Sequence, residues 1–227
     1  MVESVATTES RRGACVHCGD PLTGVHFCAG CGKIQPLAPG TDYFAFFGLP
    51  RKLVVNEPEL EKAFYSLSRE FHPDYFMSAS AAERSASTER SSMLNDAHRT
   101  LRNPVARAQY LLSLEGYKEA EKKAPPDLLE EVFDLNMQIE EIKGARKMGD
   151  EEEISGAKRA LEEAMQGLNE RLAGIDRRLF TLAGEWDAVL DRGRIEEERR
   201  STLDRISELL SHRSYIRNLA QDIREEL

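Results

Sequence analysis

Two sets of residues in this 227-residue chain have the types and spacing to do chemistry. The first is Cys15-Val16-His17-Cys18 and, nine residues further on, Cys28-Ala29-Gly30-Cys31, which together hold every cysteine present. Four thiolates in two C-x-x-C pairs suit a tetrahedral ion. Gly19 and Gly32, one behind each pair, supply the turns of a knuckle whose backbone N–H groups face the sulfurs. Metal binding can fold a segment too short to bury an apolar core. The expected cofactor is therefore one structural zinc per chain, held by Cys15, Cys18, Cys28 and Cys31, with iron in the same cage as the alternative. His17 and His26 could replace a ligand, but the plainer reading makes them solvent-exposed loop histidines. A redox C-x-x-C needs a thioredoxin-like setting, which this sequence lacks. Such a module either holds the N-terminal segment in shape, docked on the helical part, or binds a partner.

The second set is His72-Pro73-Asp74. Pro73 stops the preceding helix and stiffens the turn, and Asp74 then presents a carboxylate at an exposed tip. Such a carboxylate accepts a charge-assisted hydrogen bond from an arginine on another protein. The plainer reading is a helix-ending proline beside a solvated His and Asp. No Ser/His/Asp set, phosphate loop or paired-carboxylate site is present in the sequence, so no intrinsic catalysis is expected.

The elements that must position these residues are helices. Asp42-Tyr43-Phe44-Ala45-Phe46-Phe47 reads as a short aromatic helix stopped by Gly48 and Pro50. Asn56 with Glu59, and Ser80 with Glu83, form capping-box patterns that open the next two. Leu60, Phe64, Leu67 and Phe71 line one helical face, and Ala86, Met93, Ala97 and Leu101 line the other. Asn103-Pro104 starts a fourth helix, which buries Tyr110, Leu111 and Leu114 and ends at Gly116. Beyond Pro125-Pro126, three long apolar stripes predict an antiparallel three-helix bundle. They run through Leu128 to Ile142, Ile154 to Trp186, and Ile195 to Ile223. Gly167, Gly174 and Gly184 predict a break within the middle helix. The expected class is all-α: a helical hairpin domain, a C-terminal antiparallel bundle and a small N-terminal zinc knuckle. The expected boundaries are a flexible tail at 1–12, the four-Cys module at 13–37, the hairpin domain at 42–116, a linker at 117–125 and the bundle at 126–227.

Charge narrows the function classes. The formal net charge is −9, which disfavours phosphate neutralisation and hence nucleic-acid binding as the main task. Residues 1–41 balance to zero, residues 42–116 carry −1, and residues 117–227 carry −8. Some of that acid, including Asp134 and Glu141, is expected to face a partner of complementary charge. No run of 18 apolar residues is present, so no membrane span is expected. Met1–Arg12 has no apolar core and carries Glu3 and Glu9, unlike a secretory signal. The expected location is the bacterial cytoplasm, with the mitochondrial matrix as the alternative.

Further residues make the hairpin specific. Asp42-Tyr43-Phe44, Phe71-His72-Pro73-Asp74-Tyr75-Phe76, Leu94-Asn95-Asp96-Ala97, Leu101-Arg102-Asn103-Pro104, Arg107-Ala108, Tyr110-Leu111-Leu112 and Leu114-Glu115-Gly116 resemble a J-domain. With the bundle, they resemble the HscB family, J-type co-chaperones of iron–sulfur cluster assembly; the cysteine pairs resemble its zinc-bearing members. The resemblance implies a two-ended adaptor. Arg69, His72, Pro73 and Asp74 would bind a DnaK/HscA-type chaperone and stimulate its ATPase. Leu129, Phe133, Asp134, Glu141 and Tyr215 would bind an IscU-type scaffold. A broad core stripe is the rival reading of Leu129 and Phe133. The chain departs from the family in its acidic first J-helix, in His98 where Tyr is usual, and in Glu130 and Met137. It is expected to be a monomer or weak dimer. A J-domain adaptor for another client and a zinc-ribbon nucleic-acid module are the alternatives.

Overall fold

The computed structural model describes residues 13–22, 24–117, 129–193 and 196–227. The tail at 1–12, nearly all of the expected linker, Leu128 and Ile195 lie outside those residues, as does the side chain of Leu129. The chain divides into two compact units between Asn103 and Pro104.

The first unit begins with the cysteine segment, whose only ladder elements among the described residues are two single antiparallel bridges, Ala14 to Pro21 and Phe27 to Ile34. Helix α1 (Tyr43–Phe46) is capped by Asp42, which accepts from the Ala45 amide and holds Arg51 at 2.7 Å. Helix α2 (Glu57–Glu70) is capped by Asn56 and ends at Phe71. A 3-10 turn, Pro73–Phe76, leads on to α3 (Ala81–Arg102). Helix α3 opens with a complete Ser80/Glu83 capping box. Ile34, Phe46, Phe71, Ala86 and Leu94 form the buried core, with Phe27, Phe64, Leu67 and Met93 packed against it. Ile34 and Phe27 come from the cysteine segment, so that segment and the helices share one core.

The second unit contains α4 (Pro104–Leu114), α5 (Leu129–Met148), α6 (Glu151–Asp191) and α7 (Glu196–Glu226). Helix α4 packs on α6 and α7, which places it with the bundle although its sequence continues the J-type pattern. Gly149, at φ +75°, ends α5, and Asp150 caps α6 through the amides of Glu152 and Glu153. Leu135, Ile139, Ile142, Leu161, Leu168, Ile216, Leu219 and Ile223 make the bundle core. The expected break in the middle helix is absent: α6 runs unbroken for 41 residues. A helix-interior glycine costs about 1 kcal/mol. Each buried Leu or Trp of its stripe returns roughly 2 kcal/mol or more, and Leu161, Leu168, Leu179, Leu182 and Trp186 are all buried. Among the described residues no helix is long and apolar enough to cross a membrane.

Candidate functional site

The sulfurs of Cys15, Cys18, Cys28 and Cys31 lie within 4.8 Å of one another. Cys15 to Cys31 and Cys18 to Cys28 are both 3.6 Å apart. Tetrahedral zinc with Zn–S near 2.3 Å sets sulfurs about 3.8 Å apart, so the four fit one ion. Gly19 and Gly32 sit at φ +79° and +68°. Their amides donate to the Cys15 and Cys28 carbonyls at 3.0 and 2.8 Å, closing the two knuckles. The His17 amide points at the Cys15 sulfur, 3.4 Å away. Burial works against ionising Cys15, yet the Cys18 and His17 amides and the neighbouring thiols pull its thiol down to about 6. Among the described residues this cluster is made of cysteines alone, with no histidine in it.

His26 differs from its expected role as a solvent-exposed loop residue. Its ring meets Phe46 and Phe71 edge-on, with centroids 4.6 and 4.7 Å away, and Nε2 donates to the Phe46 carbonyl at 3.0 Å. Burial, then the Arg90 guanidinium, push it down to about 4, so it is a neutral wedge between the cysteine segment and α1. Arg90 is fully buried and reaches the Val25 carbonyl at 3.4 Å. Lys33 pairs with Glu83 of α3 at 3.5 Å. Loop histidines are usually solvated; the neighbours that bury this one come from elements distant in sequence.

The tripeptide projects from the α2–α3 hairpin. Immediately before it, Phe71 is fully buried, stacked on Phe27 and met edge-on by His26 and Phe46. The Phe71 carbonyl accepts from Ser87 at 2.7 Å and from Ser91 at 3.0 Å, both on α3. His72 and Asp74 are 52% and 75% exposed, with Nδ1 and the carboxylate 3.5 Å apart. Pro73 is exposed between them. Arg69 is exposed one turn earlier, its Nε turned back to the Tyr65 carbonyl rather than to the tip. Tyr75 and Met77 stand 73% and 75% exposed beside the tripeptide. Sequence alone marks neither as a site residue, because an aromatic or Met after a turn reads equally well as core.

On α5, Leu135, Ile139 and Ile142 point into the bundle. Phe133 (65% exposed), Asp134, Met137 and Glu141 are all exposed. They recur at helical spacing on the opposite face. The core-stripe reading therefore fails for Phe133. Met137, which departs from the family pattern, belongs to this exposed face. Tyr215 of α7 is partly buried against the bundle core. Leu129 opens α5.

Residues 42–110 match the DnaJ domain family. Over 146 residues the chain is 34% identical to the iron-sulfur cluster co-chaperone protein HscB of Mus musculus, a match covering 63% of this chain and 59% of that protein. The crystal structure of human co-chaperone protein HscB superposes with a TM-score of 0.59 at 21% identity, covering 93% of this chain and 97% of that one. The chain is thus similar to the HscB proteins in sequence over part of its length and in fold over most of it, and it spans 59% of the length of the mouse relative. Chaperone HscB from Vibrio cholerae has the same fold, with a TM-score of 0.54, 24% identity, and coverage of 81% of this chain and 96% of that one. The matched DnaJ segment contains the exposed tripeptide and ends within α4.

Proposed function

We propose that this chain is a J-type co-chaperone of iron–sulfur cluster assembly. It stimulates the ATPase of a DnaK/HscA-type chaperone and presents an IscU-type scaffold to it. The observation that carries the reading is the His72-Pro73-Asp74 tip. It is solvent-exposed, yet its root at Phe71 is fixed by two serine hydroxyls and an aromatic cluster. A carboxylate held this way is ready to meet an arginine of the chaperone without first being ordered. Asp74 and His72 act on the partner's machinery and perform no bond chemistry themselves. The exposed face of α5, with Phe133, Asp134, Met137 and Glu141, together with Leu129 and with Tyr215 on α7, takes the scaffold: apolar residues supply area and the acids set orientation. Zinc is the ion for which four thiolates at these distances are suited, and its role here is structural.

The test is steady-state ATP turnover by a DnaK/HscA-type chaperone with added co-chaperone. Asp74→Ala should remove the stimulation while far-UV circular dichroism stays unchanged; undiminished stimulation would mean the tip is not the effector. Titration with an IscU-type scaffold should show Phe133→Ala weakening binding by about tenfold, the loss of one well-buried interface aromatic. An unchanged affinity would move the scaffold elsewhere.

A further inference from the structure

The bundle carries −8 over residues 117–227, yet one stretch of it runs against that charge. Residues 171–178 of α6 hold three arginines against one aspartate, and residues 209–217 of α7 hold two arginines, a histidine and no acid. Where these helices pack together they leave a groove of about 390 Å³. Ile175, Leu209 and Ile216 form its apolar floor, Arg171, Arg178 and His212 its rim, and no carboxylate lines it. Asp176, the acid of this stretch, is taken by Arg213 at 2.6 Å and lies outside the lining. Arg178 is exposed, and neither it nor His212 has an ionic or hydrogen-bonding side-chain partner among the described residues. Ile216 belongs to the bundle core, and Ile175 packs against that core together with Val132 of α5 and Tyr215, so the floor is continuous with a well-supported surface.

A cationic rim over an apolar floor selects an anionic ligand that also has something apolar to bury. Nucleic acid meets the first requirement only, since single strands gain from stacking on aromatic rings and no aromatic residue lines the groove. We infer that the α6–α7 groove is a second protein-docking surface, taking an acidic segment with an apolar anchor residue. Arg171 and Arg178 hold its carboxylates, and the anchor sits on Ile175, Leu209 and Ile216. The inference does not depend on where the scaffold binds: the α5 face is acidic and apolar, and the groove is basic and apolar.

The experiment is fluorescence anisotropy on the full chain, with a short fluorescein-labelled peptide of alternating Glu and Asp around a central Leu-Leu pair. Saturable binding is expected, weakened about tenfold by Arg171→Glu with Arg178→Glu and by raising salt, as for exposed charge pairs. His212→Glu alone should weaken it in the same direction. Arg159→Glu, an equal charge reversal on α6 outside the groove, should leave it unchanged. Circular dichroism of each variant separates loss of binding from loss of fold. Three results would overturn the inference: no saturable binding, equal binding by the doubly reversed chain, or equal binding of a leucine-free acidic peptide. Tighter binding of oligothymidylate than of the peptide would reassign the groove to nucleic acid and overturn it as well. A chain that bound the peptide but no scaffold would sink the scaffold reading and leave this one standing.

Discussion

Phe71 is fully buried, three rings from two segments, the cysteine segment and α1, touch its own, and two hydroxyls from α3 converge on its carbonyl. Replacing it with Ala should cost about 3–5 kcal/mol, as for other buried aromatics, read as the urea midpoint of the first unit. A loss below 1 kcal/mol would show that the cluster closes up without it. His98 supplies a pH-dependent term. Its ring stacks on Phe64 at 4.1 Å. Burial first, then Arg102, hold its pKa below the usual histidine value, against a smaller opposing pull from Glu61. The unfolded chain therefore binds this proton more readily than the folded one, so stability is full above about pH 6.5 and falls as pH drops below it. His98→Phe should remove that share, under about 1 kcal/mol at this exposure, from the difference in stability between pH 7.5 and 5. An identical pH dependence in the variant would exclude the residue as a source.

At the scale of elements, the caps were readable because they are local: Asn56 with Glu59 and Ser80 with Glu83 need only a spacing of three. The four-cysteine knuckle was readable for the same reason. Helix α6 was misread because glycine propensity is a local preference, and burial of the stripe from Leu161 to Trp186 overrides it. That stripe was itself in the sequence; its weight against three glycines was not. Gly167 and Gly184 are exposed, and a Cβ added at either meets nothing within 4 Å. Changing each to Ala should raise the stability of the bundle by about 0.5–1 kcal/mol. A destabilised variant would reveal a contact that needs the glycine. The docking of the cysteine segment through His26 and Arg90 was not readable. Residues 26, 46, 71 and 90 converge only after α1, α2 and α3 have packed, and a sequence pattern carries no such separation.

The whole chain offers a way to read its two units separately. Its single tryptophan, Trp186, is fully buried in the second unit, beneath the Arg199 guanidinium at 5.7 Å. The four cysteines and the core they join belong to the first. Under the proposed zinc binding, a chelator should lower the midpoint of unfolding seen by amide exchange in α2 and α3 and leave the Trp186 fluorescence transition where it was. Equal movement of both would make the chain one cooperative block. The charge map gains meaning at this scale too, since acids are spread along α5, α6 and α7 while none lines the basic groove. The exposed tripeptide has a genetic consequence. Its root is set by the carbonyl and ring of the residue before it, and the contacts of its own side chains, His72 Nδ1 accepting from the Asp74 amide at 3.3 Å and facing the Asp74 carboxylate, stay within the turn. Under the proposed role, an allele altered at residues 72–74 yields a folded chain with an intact bundle. Such a chain occupies the scaffold without triggering release, and competes with the wild-type copy instead of merely being absent.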